Sequence, residues 1–352
     1  MKRVKLLAQA FCMLVVAFFI MSCGGKEKLY LFNWCYYTPE SVIELFEKEF
    51  NVKVVIDEFA SNEDMFAKLR SGGGGYDIIF PSADYVSIMI QQDMLATIDP
   101  DRIPNVTRYL NPEISKFTGK FDEGNRYSIP YYFGAVGIMV NTQRVPNFER
   151  SWNIFERTDL AGRMIMLDDM REVMSAGILR WNARPDINTA DPDIIHFTRN
   201  LINQFWKPNL LKWDSEAYGK AFANGDAWVI HGYPENVFEE IAGTPLEEYT
   251  VFFMPQEGGT VFLDSMVILK TSKRQDLAHQ FINFIYRPDI YALFADEFRF
   301  PTEQIHTEAH NHTESIPMYS AADVLGGHII IDVGTALDYY NEAWYNSIRV
   351  GN

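Results

Sequence analysis

Cysteine is scarce in this sequence. There are three residues, and Cys12 and Cys23 fall within the first 23 positions, so Cys35 stands alone and no disulfide framework can form. Cys35 has no histidine at a spacing that would activate it, which reads as a small buried or cleft-lining thiol. Basic charge is also scarce: 31 Lys and Arg face 47 Asp and Glu, a net charge of −16. A surface of that sign repels nucleic acid and favours cationic partners through long-range steering. No Ser-His-Asp or Cys-His pattern and no metal-ligand spacing is present, which argues against the familiar nucleophilic and metal-assisted hydrolases. Gly72 to Gly75 are not followed by Lys-Ser/Thr and lead into a strand rather than a helix, so they form a flexible turn and not a phosphate cradle. No cofactor or metal is expected.

Long apolar runs are few, and one stands at the N-terminal end. Leu6 to Met21 follows Lys2, Arg3 and Lys5 and precedes Ser22-Cys23-Gly24, the pattern of an export signal over residues 1–22. With Ile20 three residues before it and Ser22 directly before it, Cys23 resembles a bacterial lipoprotein acceptor. The expected product is periplasmic and lipid-anchored to a membrane through Cys23; the alternatives are a plain cleaved signal or an uncleaved anchor. Removing residues 1–22 leaves 28 Lys and Arg against 47 Asp and Glu, a charge of −19.

What remains is rich in apolar residues, 47% over the whole sequence, enough to bury a large core and to divide into two lobes. Residues 26–139 alternate between strand and helix patterns, which predicts an α/β fold with a parallel sheet. Leu29 to Trp34 is the first strand, Thr38-Pro39 opens a helix with Val42, Ile43, Leu45 and Phe46 on its apolar face, and Ser61 to Asp64 reads as a capping box. The run from Tyr127 to Val140 is long, mostly apolar and contains two glycines, as suits a buried strand crossing between lobes. Met254 to Leu269 reads as the return crossing. The tail to Asn352 reads as mostly helical.

In open α/β sheets ligands sit beyond the carboxyl ends of strands. That places Trp34, Cys35, Tyr36 and Tyr37 at a candidate cleft, with Ser82 and Asp84 at a second strand end. Asp169 and Glu172 open a helix, where a capping box competes with ligand contact as an explanation. His231, the only histidine ending a predicted strand, is read as a cleft or core residue, with Tyr233 beside it. Phe262 and Asp264 lie within an otherwise apolar strand, and a carboxylate there is costly to bury unless a cation meets it.

Read together and in order, these segments resemble the spermidine/putrescine-binding proteins of bacterial polyamine ABC transporters. The matching runs include Leu29-Tyr-Leu-Phe-Asn-Trp34, Tyr76-Asp-Ile-Ile-Phe-Pro-Ser82, Asp169-Met-Arg-Glu-Val173, Glu257-Gly-Gly259 with Asp264-Ser265, and Phe300-Pro-Thr302. The resemblance implies a two-lobe periplasmic-binding-protein-like fold with two crossover segments and a ligand cleft between lobes. Residues 27–139 with 264–300 would form lobe 1, residues 140–258 with 303–352 lobe 2, and residues 259–263 and 301–302 the crossovers. It implies walls from Trp34, Tyr37, Phe262 and Phe300, a hydroxyl from Ser82, and nitrogen-binding acids at Asp169, Glu172 and Asp264. Where the family carries an acid this chain has Tyr36, and where it often carries tyrosine this chain has Asp84, a candidate compensating anchor; the family's second cleft tryptophan falls near His231 to Tyr233. The implied partners are a polyamine and an ABC permease, with no nucleic acid, and the implied state is a monomer. A receptor for another cationic solute, a secreted hydrolase using the cleft acids, and an adhesin are the competing readings.

Overall fold

The computed structural model describes residues 26–350 except 36, 60, 183 and 184. Residues 1–22, Cys23 and Tyr36 lie outside the described residues. Ten strands join one continuous ladder: β1 (Lys28–Trp34), β2 (Lys53–Phe59), β3 (Ile78–Ile79), β4 (Ser128–Asn141), β5 (Met164–Met166), β6 (Leu210–Trp213), β7 (Val229–Gly232), β8 (Thr250–Phe253), β9 (Thr260–Ile268) and β10 (His328–Ile329). Their order is β2-β1-β3-β9-β4-β7-β5-β6, with β10 on β9 and β8 on β4. Helices of eight residues or more are α1 (Glu40–Phe50), α2 (Asn62–Arg70), α3 (Ala83–Gln91), α4 (Met170–Trp181), α5 (Pro192–Leu201), α6 (Pro234–Ile241), α7 (Gln275–Ile285) and α8 (Pro288–Phe298).

The division into two lobes is written in β4. Its first part, Ser128 to Val136, pairs antiparallel with β9, and its last part, Gly137 to Asn141, pairs with β7 and β8. A single buried strand thus belongs to both halves of the ladder, which is why its sequence is apolar on both faces. On one side, β1 pairs parallel with β2 and β3. Leu29 and Leu31 face the core holding Val42 and Phe46 of α1, while Phe32 faces a second layer with Met65 and Val86. Phe46 meets Phe281 and Phe284 of α7 edge-on at 5.0 and 5.3 Å, closing that core. On the other side, β5 pairs parallel with β6 and β7, and a separate core gathers Trp152, Met174, Trp206 and Trp344.

The expected turn after α2 is present: Gly72 and Gly75 have φ of 88° and 108°, conformations that side chains disfavour. The mostly helical reading of the tail is corrected. Beyond residue 303, helix among the described residues is confined to short segments, chiefly Ala321–Leu325 and Leu337–Ala343, the latter continued by a wide turn over Trp344–Ile348. Residues 304 to 309 instead serve as packing for the β4 half-sheet. Buried Gln304 donates to the Phe133 carbonyl at 2.9 Å, and His306 stacks on Tyr291 at 5.1 Å.

Candidate ligand-binding site

The site grows from the pairing of β4 with β9. Tyr132 stands opposite Asp264 and Gly134 opposite Phe262, so these four positions share one face of the ladder. Gly134 is required by that geometry: a Cβ there would lie 2.3 Å from Phe262 Cζ and 3.1 Å from Tyr132 Cε1. In the space so left, Tyr132 and Phe262 stack with centroids 5.5 Å apart and planes 19° from parallel. Tyr37 joins at 5.1 Å from Tyr132, Phe300 meets Tyr132 edge-on at 4.4 Å, and Tyr233 meets Phe262 edge-on at 5.5 Å. The result is a wall of five rings drawn from the loop after β1, from β4, β9, the loop before α6 and the loop after α8.

Asp264 sits against this wall, 4% exposed. It accepts from Ser82 Oγ at 2.6 Å and from Tyr37 Oη at 2.7 Å, and no basic side chain among the described residues acts on it. Burial pushes its carboxyl up to about 6 against those two hydroxyls, with the Asp84 charge adding to the rise. Ser82 is held in turn by Asn62, whose Oδ1 accepts from the Ser82 amide at 3.2 Å and whose Nδ2 donates to Oγ at 3.1 Å. Trp34 ends β1 beside this group, its indole donating to the Phe80 carbonyl at 2.9 Å and packing on Phe59 at 4.6 Å.

The second acidic group comes from the N-terminus of α4. Asp169 caps the helix by accepting from the Glu172 amide at 3.0 Å. The reciprocal half of the expected capping box is not made. Glu172 turns away to accept from Thr260 Oγ1 and is buried, and burial, reinforced by Asp169, pushes it up to about 8. Thr260, Phe262 and Asp264 alternate along β9 and face the same way, so β9 aligns the two acidic groups with rings between them, Thr260 and Asp264 being separated by roughly 13 Å of strand.

Asp84, half-buried at the start of α3, is pushed up to about 6 by burial, with the Glu63 charge adding to the rise and Arg171 of α4 opposing it. Arg171 makes no ion pair among the described residues. It donates to the Ile331 and Ile187 carbonyls and to Asn188, and lies 4.8 Å over the Tyr340 ring.

Most of the expected residues converge, and one does not. Tyr37, Ser82, Phe262, Asp264, Phe300 and Tyr233 form one cluster, with Trp34 and Asp84 beside it and Asp169 and Glu172 reached through Thr260. His231 points the other way. Alternation along β7 turns it into the core, edge-on to Trp152 at 5.1 Å, with both ring nitrogens unpartnered and burial pushing it down to about 3. It is a neutral core histidine. Two surface cavities, of about 390 Å³ at Glu27 and Ser272 to Leu277 and about 740 Å³ at Pro146 to Phe148 and Arg157, lie away from this cluster. Among the described residues no group of three His, Cys, Asp or Glu is placed to hold a metal ion, and no helix is long and apolar enough to cross a membrane.

Residues 41–303 match the bacterial extracellular solute-binding protein family. The chain belongs to that family. Its two-lobe α/β architecture is that of periplasmic binding proteins. It is 31% identical to spermidine/putrescine-binding periplasmic protein 1 of Haemophilus influenzae, covering 93% of this chain and 90% of the relative. It is 33% identical to a putrescine/cadaverine-binding protein of Pseudomonas aeruginosa over 74% of this chain and 75% of that one. The crystal structure of the TpPotD lipoprotein of Treponema pallidum superimposes with a TM-score of 0.85 at 45% identity, covering 91% of this solute-binding protein and 99% of that chain.

Three members of the cluster were not singled out by sequence reasoning. Tyr132 lies within the long apolar run from Tyr127 to Val140, and its register opposite Asp264 is the signal that would have found it. Glu235, in the first turn of α6, accepts from Tyr132 Oη at 2.8 Å and Tyr319 Oη at 3.4 Å, and burial raises its carboxyl. An acid just after Tyr233-Pro234 reads as an ordinary helix-start residue. Tyr319 lies in a loop with no pattern to mark it.

Proposed function

We propose that this protein is an extracytoplasmic receptor that captures a polyamine, putrescine or spermidine, between its lobes and delivers it to an ABC permease. The observation that carries the reading is Asp264: a buried carboxylate fixed by two hydroxyls, set against stacked rings, with no basic side chain among the described residues acting on it. A buried ionised carboxylate without a partner is unfavourable by several kcal/mol, so the site is completed by a cation from outside. A polyamine supplies cations on a flexible apolar chain, and the rings offer that chain a flat wall while each attracts an ammonium by roughly 0.5–2 kcal/mol. Micromolar binding needs about 8 kcal/mol net and a charged hydrogen bond contributes about 1.5–3 kcal/mol, so one acid is insufficient. Asp264 takes one nitrogen and the Asp169/Glu172 pair another. The relatives named for spermidine, putrescine and cadaverine support this ligand class.

The roles of Trp34 and Tyr37 as walls and of Ser82 as a positioning hydroxyl belong to the same proposal. So do lobes of residues 27–139 with 264–300 and 140–258 with 303–352, amended to end the first lobe's part of β4 at Val136, where its pairing passes from β9 to β7, and to move residues 304–309 to the first lobe because they pack on Phe133 and Tyr291. A lipid on Cys23, a periplasmic location, a monomeric state and the absence of catalysis complete it; the likeness to a treponemal lipoprotein supports the first. Isothermal titration of the purified mature protein with putrescine and spermidine, with neutral sugars and acidic amino acids as controls, tests the reading. Saturable binding of a polyamine alone is expected, and no heat from either polyamine would overturn it.

A further inference from the structure

We propose that Glu235 is a third ligand carboxylate, one that receives an additional ammonium at Tyr132 and so lets the site discriminate triamines from diamines. The inference rests on the polyamine reading above and adds a charge count to it. Glu235 enters the ring cluster from the first turn of α6, which follows β7, whereas Asp84 of α3 follows β3 on the other side of β4 in the sheet order. Its Oε1 accepts from Tyr132 at 2.8 Å and from Tyr319 at 3.4 Å, and the carboxylate also faces its own amide at the helix start. Both tyrosines are buried, at 4% and 8% exposure, so the carboxylate is held by groups that cannot move away without breaking the wall. No basic side chain among the described residues acts on it, and burial raises its carboxyl as it does that of Asp264. Asp84 differs here in having a basic side chain, Arg171, acting on it, although burial and the Glu63 charge outweigh that.

Tyr132 ties the two uncompensated acids together. It stands opposite Asp264 in the ladder, stacks on Phe262, and donates to Glu235, so Asp264 and Glu235 flank one ring and an apolar chain lying on that ring can present an ammonium to each. With Asp169/Glu172 beyond Thr260, three acidic positions surround a single aromatic wall. If Glu235 served only to align Tyr132 and Tyr319, its charge would be superfluous, because a glutamine carbonyl accepts the same two hydroxyls. The charge is needed only if something cationic arrives.

Calorimetric titration of wild type and Glu235→Gln with spermidine and putrescine at pH 8 separates these roles. Wild type is expected to bind spermidine at least about tenfold more tightly than putrescine, and Glu235→Gln to lose most of that advantage by weakening spermidine far more than putrescine. Equal spermidine affinity in wild type and variant, or parallel loss of both ligands, overturns the third-anchor role and leaves the polyamine reading intact. Failure of wild type to bind either ligand overturns both. Should the variant not fold, wild type alone decides: comparable affinities for spermidine, putrescine and a monoacetylated triamine contradict the proposal, whereas a preference for the free triamine over both supports it.

Discussion

Replacing Asp264 with asparagine should move ligand affinity and ligand-free stability in opposite directions. The two side chains are nearly isosteric, and Asp264 is held by Ser82 Oγ at 2.6 Å and Tyr37 Oη at 2.7 Å, so the variant keeps its shape. In the ligand-free protein at pH 8 the aspartate is ionised above a value raised from 3.8 to about 6. Two pKa units correspond to an unfavourable contribution of about 3 kcal/mol from holding that charge unpaired. Asparagine removes the charge, and one hydroxyl must turn to accept from its amide, which gives back about 1 kcal/mol. Ligand-free Asp264→Asn should therefore melt at or above the wild-type temperature. Its polyamine affinity should fall by about 1.5–3 kcal/mol, roughly 10- to 150-fold, as a charged hydrogen bond becomes neutral. Scanning calorimetry without ligand and titration with spermidine, both at pH 8, read the two quantities. A variant that melts several degrees lower yet binds spermidine within threefold of wild type would show that Asp264 is a structural acid and refute the reasoning.

Other outcomes follow from the same geometry. Glu172 titrates at about 8 when folded against a usual 4.5, so between those values the native state binds more protons than the unfolded chain. Ligand-free stability should then fall as pH rises from 4.5 to 8, saturating spermidine should offset much of that fall, and spermidine affinity should climb over the same interval; melting curves and titrations across pH read these, and stability that rises with pH through this window would contradict the assignment. Gly134→Ala puts a methyl group into the Phe262 ring, so it should destabilise the protein by about 1–3 kcal/mol and weaken spermidine binding; a denaturant titration with unchanged midpoint and unchanged affinity would show the wall is slack. Cys23→Ser should release the mature protein from the detergent-extracted membrane fraction, and retention there would rule out the lipid anchor.

How much of this was legible from residues alone depended on period and composition. The alternation Leu29 to Trp34, the apolar stripe of α1 and the unbroken apolar run of β4 each point to one element, because burial on one face, one stripe or both faces leaves a distinct pattern. Phe262 and Asp264 were legible because an acid inside an apolar strand needs a reason. His231 was not: Val229 and His231 alternate into the core while Ile230 and Gly232 face the other way, and a one-residue difference in orientation decides between cleft and core. Glu235 stayed hidden because its partners, Tyr132 and Tyr319, are 103 and 84 residues away in sequence. The tail was misjudged since residues 304 to 309 gain their order from packing on β4, which no local period records.

The central claim is that buried carboxylates around one aromatic wall wait for a cation that the chain itself does not provide. A crystal structure of the mature protein grown with spermidine tests this most directly. The account predicts ligand nitrogens within about 2.7–2.9 Å of Asp264 and of Asp169 or Glu172, with the methylene chain lying on Tyr37, Tyr132 and Phe262. Spermidine bound elsewhere, with Asp264 still satisfied only by Ser82 and Tyr37, would contradict it.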